Sequence, residues 1–129
     1  MQKARTALKL ALGVAPILLG GCMLAAVGAG AAGTVAYVKG DLEVVEPKDI
    51  DAVYQATKKA TKQLGLVVTE DTRDNISATI VARDSADKKI TIKLGAAAED
   101  STKLSIRYNL FGNETKSRVI HDKIRENLK

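Results

Sequence analysis

From residue 34 onward the chain runs in two rhythms. Thr34 to Glu46 reads as extended, with Leu42 and Val44 on one face and a turn or bend at Lys39-Gly40-Asp41. After Pro47 the period changes: Ile50, Val53, Tyr54, Thr57, Ala60 and Leu64 recur at helical spacing. Asp49 is the candidate N-cap, Asp51 suits the first turn, and Lys58, Lys59 and Lys62 lie toward the end, each matching the helix dipole. Gly65 stops the helix. Four strands are then expected. Leu66 to Glu70 is short and mostly apolar. Ile76, Ala78, Ile80 and Ala82 alternate with Ser77, Thr79, Val81 and Arg83. Ile90, Ile92 and Leu94 alternate with Lys89, Thr91 and Lys93, and Leu104, Ile106, Tyr108 and Leu110 with Lys103, Ser105, Arg107 and Asn109. The connections Asp71–Asn75, Asp84–Asp87 and Ala98–Ser101 are rich in turn formers. Phe111-Gly112-Asn113 breaks into a last helix, capped by Asn113 or Gly112, whose apolar stripe is Ser117, Ile120, Ile124 and Leu128.

Such alternation implies a sheet buried on one face and wet on the other. Two amphipathic helices suffice to cover the apolar face. The expected fold is therefore α+β: a two-layer sandwich, an antiparallel sheet with both helices on one face, in the order strand, helix, four-strand meander, helix. Ser77, Thr79, Arg83, Lys89, Thr91, Lys93, Lys103, Ser105 and Arg107 would lie on the wet face. Arg83, Lys93 and Arg107 project from three consecutive strands and form the candidate docking face, against the plainer reading of a solvated surface.

The first forty residues follow another logic. Lys3, Arg5 and Lys9 precede the apolar run Leu10–Leu19, which is too short to span a bilayer core of about 30 Å. Leu19-Gly20-Gly21-Cys22 resembles the bacterial lipobox, a leucine and two small residues before a cysteine. Small residues admit a peptidase to extended backbone, and the thiol is the nucleophile that takes a diacylglyceryl group. The resemblance implies a signal peptide over 1–21, cleavage after Leu19, Gly20 and Gly21, and acylation of Cys22 on its sulfur and new amino group. A small-residue tether over 22–33 then leads to one domain over 34–129. Multiple acyl chains exceed what stable anchoring requires. With Met23 rather than aspartate after the cysteine, the same resemblance points to the outer membrane, facing the periplasm, over the inner membrane. Two other readings stay open: a glycine-spaced apolar helix over Met23–Val38 at the membrane, or, without cleavage, one membrane segment over Leu10–Val38.

Charge changes the picture less than it first suggests. Of 20 basic residues in the chain, three precede Cys22; the remaining 17 face 15 acidic ones, and no run of like charge marks a nucleic-acid partner. One cysteine excludes an internal disulfide, and four aromatics without tryptophan offer little for stacking.

The chemistry of catalysis is thin. Gly28-Ala-Gly30-Ala-Ala-Gly33 matches a dinucleotide-binding fingerprint, yet Thr34–Val38 and Lys39-Gly40-Asp41 follow it instead of a helix, so no cofactor is expected. His121 is the only histidine and reads as a half-exposed helical residue. Acidic pairs such as Asp71 and Asp74 or Asp84 and Asp87 sit in turns for backbone reasons, so neither a catalytic group nor a metal site is expected.

Several short motifs together resemble one family of small bacterial lipoproteins, domain of unknown function 3568. They are the lipobox, Tyr37-Val-Lys-Gly40-Asp-Leu, the helix with Tyr54 and Ala56, Leu64-Gly65-Leu66, and Phe111-Gly112-Asn113-Glu114 before Ser117 and Ile120-His121. The likeness spans nearly the whole chain and implies no activity. The expectation is a non-catalytic envelope lipoprotein, monomeric in its soluble domain, held to the membrane through Cys22 and serving an envelope partner. The alternative is a carrier of a lipid or small ligand in a cavity between helices and sheet.

Overall fold

The computed structural model describes residues 35–129. The signal, the lipobox with Cys22 and the glycine run Gly28–Gly33 lie outside the described residues. The order is β1 (Val35–Val38), β2 (Asp41–Glu46), α1 (Ile50–Gln63), β3 (Val67–Arg73), β4 (Ser77–Arg83), β5 (Lys89–Ala97), β6 (Ser101–Tyr108) and α2 (Glu114–Glu126). The fold is α+β, with one six-stranded antiparallel sheet in the order β1-β2-β6-β5-β4-β3.

The single first strand expected from the sequence is a hairpin. Lys39 (φ 50°) and Gly40 (φ 90°) are both left-handed, which reverses the chain in two residues and pairs Val38 with Asp41. This hairpin is added to the sheet through β2 and β6, with Leu42 opposite Ile106 and Val44 opposite Leu104.

In β4, β5 and β6 the expected phase holds. Ile80, Ile90, Ile92, Leu104 and Ile106 are fully buried, and they meet Val53, Ala56 and Ala60 of α1 and Ile120 and Ile124 of α2 in one core. The helix ends are those the sequence marks. Asp49 accepts the Ala52 amide at 2.9 Å and Asn113 the Lys116 amide at 3.0 Å. Gly65 (φ 71°) closes α1, donating to the Lys62 carbonyl while Leu66 donates to that of Thr61.

β3 departs from expectation. The turn foreseen at Asp71-Thr72-Arg73 is strand, paired with Ile80, Thr79 and Ala78 beyond a bulge between Val68 and Glu70. An outermost strand has no periodic apolar face to betray it, and here α1 supplies the polar partners. The Asp71 carboxylate accepts from the Tyr54 hydroxyl (2.8 Å) and Lys58 Nζ (2.6 Å), and Arg73 pairs with Asp51 at 2.8 Å. The turn falls one step later, where Asp74 Oδ1 accepts the amides of Ile76 and Ser77. Ile76, expected in the core, is thereby 68% exposed. Likewise Leu110 leaves the sheet, because Asn109 (φ 66°) turns the chain after Tyr108.

Candidate functional site

The outer face of the sheet carries all three residues of the candidate docking face, though not in a row. Thr79, Lys93 and Ser105 are level across β4, β5 and β6; Val81, Thr91 and Arg107 form the next level; Arg83 is level with Lys89. Successive levels are two residues apart, roughly 7 Å along the strands. Lys93, Arg107 and Arg83 therefore lie staggered along the sheet.

Their surroundings differ more than their positions. Arg107 is a clamp. Its Nε pairs with Asp41 Oδ1 (2.8 Å), one terminal nitrogen donates to the Lys39 carbonyl (2.8 Å) and the other to that of Leu110 (2.9 Å). It thus joins the β1–β2 turn to the segment after β6. Arg83 donates to the Asp87 carbonyl at 2.9 Å within the β4–β5 turn. Lys93 is exposed and makes no ion pair among the described residues. A polar depression of ≈ 510 Å³ links this surface, with Asp41, Glu70, Lys89, Thr91, Lys93 and Arg107 on its walls.

His121 corrects the sequence reading. Only 4% of it is exposed, and its Nε2 lies 2.6 Å from Oε1 of Glu46, itself 4% exposed. An imidazole and a carboxylate thus share a proton-bearing contact inside the domain, bridging the end of β2 to α2. Nearby in sequence, the buried Ser117 hydroxyl has no hydrogen-bond partner among the described residues. The signal for the pair was present in the sequence. Glu46 shares the parity of Leu42 and Val44, and His121 lies between Ile120 and Ile124 and one turn beyond Ser117, inside the apolar stripe.

At the end of the sheet holding the β4–β5 turn, the Tyr108 hydroxyl donates to Asp84. That bond, with burial, pushes the Tyr108 phenol up to about 12. The same bond lowers the Asp84 carboxyl, aided by the Lys88 and Ala86 amides. Beside it, Leu64, Leu66, Ile90, Tyr108, Val119 and Ile120 line an apolar groove of ≈ 360 Å³. On the α1–β3 surface, Lys58 and then Tyr54 hold the Asp71 carboxyl below its usual range. Among the described residues no group of three or more His, Cys, Asp or Glu could hold a metal ion, and no helix is long and apolar enough to cross a membrane.

Compared with known families, the chain matches the model described as "Protein of unknown function (DUF3568)" over residues 5–127. No curated protein matches it.

Proposed function

The chain belongs to the DUF3568 family, and from that premise we propose that it is an envelope lipoprotein whose folded domain is a non-catalytic docking module. In this reading the chain is exported, cleaved before Cys22 and acylated there, and the domain stands in the periplasm, tethered to the outer membrane. We read the domain as a two-layer sandwich whose helices occupy one sheet face and leave the other to a partner protein of the envelope.

The observation that carries the reading is the outer sheet surface. It is polar, spans three strands, and presents Lys89 and Lys93 without acidic partners among the described residues, beside the depression at Thr91 and Arg107. The titratable groups that could serve catalysis are instead used inside the fold, as in His121 with Glu46 and Tyr108 with Asp84. A photo-cross-linking residue at Thr91 or Lys93 in living cells should capture one envelope protein, and the same residue at Arg118 on α2 should not. Equal products from all three positions would reject the face.

The groove of ≈ 360 Å³ supports the second reading, a carrier, since binding sites for small molecules begin near that size, at about 300 Å³. It lies at the rim, whereas the space between helices and sheet is filled by Ile80, Ile92, Leu104 and Ile106. Co-purification of a stoichiometric lipid with the domain would favour it.

A further inference from the structure

We propose that Leu110 and Phe111 form a membrane-seeking tip that lays the domain on an anionic phospholipid surface. The inference rests on the anchoring at Cys22 proposed above. Leu110 is 73% and Phe111 84% exposed, the two most exposed large apolar residues of the described chain, and they are adjacent. They are not a loose loop. Gly112 (φ 85°) sits so close to the β1–β2 turn that a Cβ there would fall 2.4 Å from the Gly40 carbonyl oxygen and 2.6 Å from the Tyr37 hydroxyl. Arg107 grips the Leu110 and Lys39 carbonyls, and Asn113 begins α2 immediately after. The backbone that presents the two side chains is therefore set before any contact is made, which removes an ordering cost from binding.

Charge chooses the occupant. Lys88 and Lys89 share a shallow surface hollow with Leu110, and Lys39 lies in the turn packed on Gly112. None of the three lysines has an ion-pair partner among the described residues, while the neighbouring acids Asp87 and Glu114 are matched by Arg83 and Arg118. Apolar side chains ringed by lysines suit the interface of an anionic bilayer. The same lysines would repel a second copy of this tip. A two-residue knob is also far smaller than the roughly 800 Å² per partner of a stable protein interface.

Chain length allows it. Val35 enters the sheet opposite Val44, which is level with Leu104 in the middle of β6, so the preceding chain joins midway along the strands. The twelve residues 23–34 can reach at most about 40 Å, and the nine residues of β5 run about 30 Å. An anchor at Cys22 therefore leaves enough chain to bring either end of the domain to the lipid.

The protein has no tryptophan, so Phe111→Trp in the full anchored chain is a single local reporter. On vesicles of phosphatidylethanolamine and phosphatidylglycerol its emission should shift to the blue and lose most of its intensity when the acyl chains are brominated. On phosphatidylcholine both effects should fall several-fold, as they should on the anionic vesicles when Lys39, Lys88 and Lys89 are all changed to Gln. Ile76→Trp, at the other end of the sheet, should stay unquenched. Water-like emission from Phe111→Trp on both vesicles overturns the proposal and leaves the tip to a protein. Quenching of Ile76→Trp alone overturns it too, by turning the domain the other way. The mass of the same anchored chain reports acylation at Cys22 separately, so a lost anchor and an idle tip are read apart.

Discussion

Replacing Glu46 with Leu leaves the His121 imidazole inside the domain without its partner, and the cost follows from burial. Both side chains are about 5% exposed, and their contact is 2.6 Å long. An unsatisfied neutral donor in such a place costs about 1–3 kcal/mol, and a stranded charge about 3–5 kcal/mol. Glu46→Leu should therefore lose about 2–4 kcal/mol. His121→Leu should lose at least as much, since it strands a carboxylate. With a urea slope of about 1.5 kcal/mol/M, a loss of 3 kcal/mol moves the unfolding midpoint by about 2 M. The double variant removes both polar groups and fills the space with hydrocarbon, so it should be no worse than the harsher single one. Urea unfolding of residues 34–129 made alone, followed by circular dichroism, gives all four corners of the cycle. Single losses that simply add in the double variant, within about 0.5 kcal/mol, would show that the two groups do not interact and would refute the reasoning.

Three further outcomes follow from the same geometry. Arg107→Ser should destabilise the domain by about 1–3 kcal/mol through its lost charged hydrogen bonds, whereas the exposed Lys93→Ser should change it by less than about 0.5 kcal/mol; equal midpoints would deny Arg107 its clamping role. Gly112→Ala, with a positive φ and backbone 2.4 Å from the new methyl, should cost well over 1 kcal/mol. Gly65→Ala, where nothing lies within 4 Å, should lose only the smaller amount due to its φ, as thermal melts would show. Finally, the Tyr108 phenol should ionise at about 12 in the folded domain and return toward 10.0 in Asp84→Ala, seen as phenolate absorbance. Because folding raises this value, its stabilisation is complete below pH 10 and is lost as pH climbs through 12; no difference between the two titrations would remove the bond.

What could be read in advance followed from how strongly burial marks the sequence. β4, β5 and β6 cross the middle of the sheet with one face in the core, so Ile80, Ile92 and Ile106 stand out against Thr79, Lys93 and Arg107. The helix ends were legible because Asp49, Gly65 and Asn113 act on local backbone alone. The strand at Leu66–Glu70 was legible too, but its continuation through Asp71–Arg73 was not, since an outermost strand held by Tyr54, Lys58 and Asp51 needs polar residues in places where a turn would also want them. The turn or bend at Lys39-Gly40-Asp41 was legible, but the pairing of β1 with β2 was not, because the four residues of β1 carry too little alternation to mark a strand of their own. The three cations of the outer face share one parity in the alternation, but spacing cannot tell the exposed Lys93 from Arg107, whose partners Lys39 and Asp41 come from the distant β1–β2 turn. His121 was misjudged by looking only along its own helix; its partner arrives from β2.

The most direct test is the mass of the mature chain extracted from membranes of cells producing the full sequence. The account predicts a polypeptide beginning at Cys22 and heavier than residues 22–129 by a diacylglyceryl group and an amide-linked acyl chain, with Cys22→Ala leaving the precursor uncleaved. A mature chain that retains Met1 and carries no lipid would contradict it.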